Sequence, residues 1–426
     1  MSNKELVKQF GQSMKAIAKN LEKDPSEVTK AEYASAETEK QFTLTDWQLR
    51  KIGGFDAAKK LMFPPDKNIV MEAGSKLINE HRNKLNQKYG KKIFIVEEFK
   101  QVLKRVLDRN PITYHKPVKK LKKGKSKKSR TIVAHLSDTH YGCNISKTEV
   151  QVNEFNWTIA ARRTALFAQQ IVNYKPHYRE ETDLVLCING DILAGVIHDQ
   201  EWFVDVLTLQ YAGTMSILVQ MIGYLAQYFR SVKVVFTPGN HGRAMHKASK
   251  ERALTNKWDS YETMTFLAIK GITEAKYKNV SAEVPETPFA IFEAQGHHFF
   301  QTHGDTVVNV GNPGKSLQIK AINEQVNKLN ASEIGGNNKF AAILVGHVHT
   351  PTLQLMESGT YLVINGCLSG TDPFALGIGI FSSNPTQQFF EVTEKFPVGD
   401  LRFIQVKNAD HDESLDEIIK PFKGSI

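Results

Sequence analysis

Two regimes of hydrophobic patterning divide the chain near residue 130. Before it, apolar residues recur at helical spacing and strand-like runs are absent. The opening MSNKELVKQFGQSMKAIAKN alternates charged and apolar side chains in helical fashion, the pattern of an amphipathic helix rather than a signal peptide. Asp24-Pro25, with Ser26 and Glu27 close behind, marks a second helix start. TDWQLRKI predicts a helix that Gly53-Gly54 ends, and FDAAKKLMF one that Pro64-Pro65 stops. Trp47, Leu49, Ile52, Phe55, Ala58 and Leu61 are expected to share one small core. Further helices are expected near Ile69–Tyr89 and Val96–Leu107.

From Thr131 onward the pattern changes. Five short apolar runs appear: TIVAHLS, DLVLCIN, KVVFTP, HHFFQT and FAAILVG. Helical stretches such as AARRTALFAQQIVNY separate the first three, so strands alternate with helices and an α/β layered domain is expected. Residues 206–229 carry no formal charge, and about 20 apolar residues span a bilayer. This segment also holds Gln210, Gln220, Gln227, Thr208, Thr214 and Ser216, and it connects two strands of one sheet. It is expected to be a buried crossover helix, not a membrane span, with a helix-mediated subunit contact left open. The organisation expected is a helical domain over 1–112, a linker over 113–130 and a catalytic domain over 131–426.

Composition changes this picture in one place. The 41% hydrophobic and 23% charged residues are those of a soluble globular protein. Cys143, Cys187 and Cys367 lie far apart, which is neither a disulfide framework nor a structural zinc pattern, so a reducing cytoplasmic compartment is expected. The net charge of +10 is local. KPVKKLKKGKSKKSR, residues 116–130, holds nine of the 55 Lys and Arg and no acid, leaving 46 basic against 45 acidic elsewhere. Such a run is either a solvated linker or a phosphate-binding strap, with Lys122 and Lys123 at its centre.

All five apolar runs end in groups able to bind metal. They are Asp138 and His140 in LSDTHYG, Asp191 in NGDILAG, Asn240 and His241 in PGNHGR, His303 in THGD, and His347 and His349 in GHVHT. Singly, each is explained by a cap, a turn or a structural histidine. Sites in α/β sheets form beyond the carboxyl ends of strands, so five clusters placed alike converge on one point.

In their order, D-x-H, G-D, G-N-H, H and G-H-x-H, these residues resemble the calcineurin-like metallophosphoesterases. The resemblance implies a two-sheet β-sandwich flanked by helices, with the strands after Gly370 completing the second sheet. It implies that Asp138, His140, Asp191 and His349 hold a first metal. Asp191, Asn240, His303 and His347 would hold a second, with Asp191 bridging. His241 matches the catalytic histidine. Carboxylate, imidazole and amide donors without thiolate suit Mn²⁺, with Fe or Zn²⁺ also accommodated. Two such ions clamp the attacking and leaving oxygens of in-line phosphoryl displacement and activate a water.

One position departs from that family. Many of its members carry an acid directly after the G-N-H histidine, and here Gly242 stands there. Arg243 follows, a residue type suited to bidentate phosphate contact, with Lys247, Lys250 and Arg252 beyond it. His198 lies a few residues past Asp191 and is a candidate substrate contact. The short helices of the first hundred residues have a helix-turn-helix layout and are similar to small DNA-binding repeats beside phage and homing nucleases; a plain helical or oligomerisation domain is the alternative.

The chain as a whole is similar to the DNA repair exonucleases of the superfamily and to phage-encoded putative DNases. That implies a metal-dependent nuclease with DNA as partner, in a bacterial or phage-infected cell. A phosphomonoesterase or cyclic-nucleotide phosphodiesterase is the alternative. A non-enzymatic nucleic-acid-binding protein is the second.

Overall fold

The computed structural model describes residues 3–37, 43–62, 80, 104–117, 130–174, 182–196, 203–243, 257–336, 339–377, 379 and 384–423. The helix expected near Ile69–Tyr89 lies almost wholly outside these residues, and the basic run from 118 to 129 entirely so. The chain divides into two compact units, Met1–Glu72 and Ala73–Ile426.

The first unit is helical: α1 (Asn3–Asn20), α2 (Lys30–Glu37), α3 (Asp46–Lys51) and α4 (Phe55–Met62). Two starts have a visible local cause. Thr45 and Gln48 form a reciprocal capping box at α3, which satisfies two orphan backbone donors. Asp24 caps a single 3-10 turn over Pro25–Glu27 rather than α2 itself. Leu6, Phe10, Met14 and Ile17 of α1 meet Tyr33, Leu49, Ile52, Phe55 and Ala58 in one core.

Trp47 is not in that core, contrary to the sequence expectation. It is 65% exposed, with Lys51 Nζ 3.8 Å from its ring centroid. Leu49 and Ile52 are three apart and share the inner face, while Trp47 lies two residues from Leu49 and points the other way.

The second unit is built on two sheets. Six strands run in the order β11-β10-β1-β2-β3-β4. They are β1 (Arg130–Leu136), β2 (Thr182–Asn189), β3 (Val232–Thr237), β4 (Val280–Glu283), β10 (Thr386–Val392) and β11 (Gly399–Gln405). Five run β5-β6-β7-β9-β8, namely β5 (Phe289–Ala294), β6 (His297–Thr302), β7 (Ala342–Val345), β8 (Thr352–Leu355) and β9 (Tyr361–Ile364). β1 to β4 are parallel, joined through α5 (Trp157–Asn173), α6 (Leu207–Leu225) and α7 (Tyr261–Lys276). The strands after Gly370 extend the first sheet, not the second as expected: β10 pairs antiparallel with β1, and β11 with β10.

Side chains alternate across a strand, and the pattern fixes the layers. Val133, Val185, Cys187 and Val235 of the first sheet meet Phe292, Phe299, Leu344 and Val363 of the second in the core between them. On the far side of the first sheet, Phe236 stacks on Phe266 of α7 at 4.6 Å. On the far side of the second, Ile343, Val345 and Ile364 pack on Ile322, Val326 and Leu329 of α8 (Ile319–Asn330). Phe299 is fully buried, and its truncation to Ala is expected to cost about 3–5 kcal/mol.

The uncharged segment over 206–229 contains α6, the crossover between β2 and β3. Gln210 bonds to the backbone of Gly195 and Asp205, and Gln220 exchanges hydrogen bonds with the backbone of Lys420. These contacts satisfy its buried amides within the chain. Among the described residues, no helix is long and apolar enough to cross a membrane.

Candidate metal centre

Five strands bring their carboxyl ends to one place. Asp138 and His140 follow β1, Asp191 follows β2, Asn240 and His241 follow β3, His303 follows β6, and His347 and His349 follow β7. Three overlapping clusters result: Asp138 with His140 and His349, Asp191 with His303 and His347, and His140 with Asp191 and His241. Within each, the donor atoms lie within 4.8 Å of one another. Asp191 belongs to two of them and joins the two halves of the site.

The backbone there is unusual. Asp138, His140, Asp191, His347 and His349 have φ of 50°, 46°, 48°, 72° and 60°, the left-handed region that costs an L side chain roughly 1–2 kcal/mol. Hydrogen bonds between the loops hold it: Asp138 N donates to Gly190 O and His140 N to Asp191 O, both at 3.0 Å, and Gly346 N donates to His303 O at 2.8 Å. The close approach also requires glycine. A Cβ on Gly190 would stand 2.6 Å from Gly239 Cα and 2.7 Å from His303 Nδ1.

The histidines are oriented from behind. His303 Nδ1 donates to Asn189 O at 3.0 Å, and His241 Nδ1 to Ala194 O at 2.8 Å. In each ring, Nε2 is the other nitrogen. His303 Nε2 lies 2.8 Å from Asp191 Oδ2. Backbone amides complete the carboxylates: His241 N donates to Asp191 Oδ1 at 2.7 Å, and His347 N to Asp138 Oδ1 at 3.0 Å.

Electrostatics follow from this crowding. Burial, the largest influence, would raise Asp191, but His303, His241 and His140 hold it well below the carboxylate range. Asp138 is likewise lowered against its burial, chiefly by its hydrogen bond with His349. Burial would lower His303, yet Asp191 and Asp138 lift it to about 10. Burial and then His303 press His347 down to about 4. Glu262 is raised to about 7 by burial and by Asp191.

The sequence profile of the calcineurin-like phosphoesterases matches residues 132–351, the span holding every one of these donors. The chain belongs to that family. Among the curated proteins no sequence matches significantly. Three solved structures are similar in part. A predicted phosphoesterase from Streptococcus pneumoniae is 12% identical, with 65% of this chain and 98% of that one covered and a TM-score of 0.25. A 5'-nucleotidase from Candida albicans is 12% identical over 72% of this chain and 57% of its own, TM-score 0.32; the chain thus spans little more than half of that enzyme. A phosphopantetheinyl hydrolase from Mycobacterium tuberculosis is 11% identical over 59% and 93%, TM-score 0.25.

Calcineurin-like phosphoesterases hydrolyse phosphoesters with divalent metal ions, and the residues here fit such ions. Asn240 Oδ1 is buried without a hydrogen-bond partner, which is costly for a polar atom unless it serves a ligand. The donors are carboxylate, amide and imidazole, a set suited to Mn²⁺, Fe or Zn²⁺.

The eight motif positions expected from the sequence therefore come together. Arg243 stands beside them, 29% exposed, its Nη2 3.4 Å from Asp305 Oδ2. His198, Lys122 and Lys123 lie outside the described residues, as do Lys247, Lys250 and Arg252.

Sequence reasoning missed several supporting residues. Asp305 binds both Arg243 and the buried Lys257. Beneath the donors, Asn189 Nδ2 donates to Thr302 O and Leu344 O, and Gln301 Nε2 to Ile188 O and Val235 O. Asn365 Nδ2 donates to His135 O and Gln387 Oε1. This polar belt ties the two sheets together under the site. Amides between apolar strands give no motif, although runs such as QQ before FFEV were a faint sign.

Proposed function

We propose that this calcineurin-like phosphoesterase is a DNA nuclease, hydrolysing phosphodiester bonds with two divalent ions, Mn²⁺ foremost. The observation that carries the reading is the basic run that leads into β1. It puts nine cations in fifteen residues, and its last member, Arg130, is the first residue of β1, the strand that Asp138 follows. Both flanks of the run are anchored in the catalytic unit. His115 Nε2 donates to Ile418 O at 2.8 Å, and Arg130 pairs with Glu391 at 3.2 Å. A polycation so attached neutralises several phosphates at once, and a single phosphomonoester would not use it.

Two further features support DNA. On α3, Trp47, Arg50 and Lys51 are all exposed on one face, an aromatic with two cations at helical spacing. At the metal centre, Arg243 is aimed by Asp305, which prepares its guanidinium for a phosphate oxygen.

In this reading, Asp138, His140, Asp191 and His349 would hold one ion, and Asp191, Asn240, His303 and His347 the other. Bound there, the ions would supply Lewis acidity and would lower the pKa of a water. His241 presents Nε2 because Nδ1 is bound to Ala194 O; that atom delivers the proton to the leaving oxygen or steadies its charge. Arg243 holds the phosphate for in-line displacement.

The test is one Mn²⁺ panel, with and without chelator, of linear duplex, circular duplex, single-stranded DNA, RNA, a mononucleotide and a phosphoprotein. Chelator-sensitive cleavage of DNA is expected. Turnover of the mononucleotide or phosphoprotein with all nucleic acids intact would overturn the nuclease reading and leave the phosphoesterase assignment standing.

A further inference from the structure

Gly242 directly follows the histidine of the G-N-H run, and the structure shows what fills the space beside it. Gly242 is not in the left-handed region, so its backbone does not call for glycine. Space does. A Cβ there would fall well inside contact with Glu262 Cγ and 2.9 Å from Glu262 Cδ. The side chain of Glu262, which belongs to α7, occupies the volume that a side chain at 242 would take.

Glu262 is fixed there by its own surroundings. It sits in the first turn of α7, which Ser260 caps by accepting from Thr263 N. Tyr261 N donates to Gly242 O at 2.7 Å, and Ser260 bridges to Arg243. The start of the helix is thereby registered on the G-N-H loop. The Glu262 side chain has no exposure, and its two oxygens face different loops. Oε1 accepts from Ile192 N and, at 3.3 Å, from Leu193 N, just after Asp191; Oε2 accepts from Gly239 N at 2.6 Å, just before Asn240. One carboxylate therefore spans the loop that carries Asp191 and the loop that carries Asn240 and His241.

We propose that Glu262, from α7, sets the spacing of the two metal-bearing loops. It is a positioning residue: it touches neither donor side chain and acts through three backbone amides. Partners of this kind tune metal affinity by roughly 10–100-fold. The proposal rests on the two-metal reading of the site and is indifferent to which phosphoester is cleaved.

The geometry also makes Gly242 and Glu262 exchangeable. A glutamate at 242 would clash while Glu262 is present. With Glu262 trimmed to Ala, it would carry a carboxyl group into the same volume.

The experiment compares wild type with E262Q, E262A, G242E and the double variant E262A/G242E. Mn²⁺ affinity is read by titration calorimetry, and the spin-coupled Mn²⁺ pair by electron paramagnetic resonance. kcat and KM are taken on bis(p-nitrophenyl) phosphate. Two bound, coupled Mn²⁺ ions in wild type check the underlying reading; if they are missing, that reading fails first.

E262Q keeps the shape but turns a donor toward an amide donor. It is expected to bind Mn²⁺ at least about tenfold more weakly and to lose the coupled signal. G242E is expected to be impaired alone. E262A/G242E is expected to recover affinity and the coupled signal beyond E262A, a coupling that general loss of stability would not produce. The proposal is overturned if E262Q keeps wild-type affinity, or if the double variant is no better than E262A, including by failing to fold.

Discussion

Asp191 Oδ2 stands 2.8 Å from His303 Nε2, and the backbone N–H of His241 holds the other oxygen of the same carboxylate at 2.7 Å. One side chain thus links the second cluster of donors to the loop of His241. Asp191→Ala is expected to abolish metal-dependent hydrolysis while the far-ultraviolet circular dichroism is kept. Calorimetry should show fewer than two Mn²⁺ ions bound. Full activity in the purified variant would contradict a shared carboxylate.

His241 is expected to have a narrower task. Its Nδ1 is engaged by Ala194 O, and its ring centroid lies 4.6 Å from that of His140. His241→Ala should lower kcat by about 10²–10⁴-fold, the range for a lost general acid. KM and bound Mn²⁺ should stay near wild type. A variant that instead loses metal would make His241 a ligand.

His135 is expected to contribute to acid sensitivity. It is fully buried, with Nε2 3.0 Å from Asn189 Nδ2, and burial, its largest influence, takes it from 6.5 to about 3. Between those values the unfolded chain binds a proton that the folded protein refuses. Stability therefore falls as pH drops through that window, by up to about 1.4 kcal/mol per unit from this residue. Urea unfolding of metal-free protein from about pH 7 to about pH 4 should show a shallower decline for His135→Asn than for wild type. Parallel curves would place the acid sensitivity elsewhere.

The basic run makes a prediction in salt. Lys122→Gln with Lys123→Gln should weaken DNA binding and reduce the slope of log K against log salt by up to about 0.9 for each phosphate no longer neutralised. Hydrolysis of a small diester should be unchanged. An unaltered slope would leave the run a solvated linker.

The sequence made the donors legible for a physical reason. Each stands at the end of an apolar run, where a polar residue has no packing role, and the strand ends converge by topology. Glu262 was not legible, because it belongs to a helix whose sequence, SYETMTF, reads as an ordinary cap and first turn. Only the packing of α7 on the G-N-H loop reveals its role. Trp47 was misjudged by counting apolar residues instead of following their phase around α3. The placement of β10 was hidden too, since TQQFFEV contains no information about which sheet edge it joins.

The left-handed backbone at Asp138, His140, Asp191, His347 and His349 narrows the alphabet of the centre twice over. Beyond glycine, Asn, Asp and His are the residues that enter this region most readily, and they are also oxygen or nitrogen donors. Glutamate or glutamine offers the same donor atoms on a longer arm but lacks that conformational ease. At these five positions, the letters that can bend the chain and the letters that can grip an ion are nearly one set.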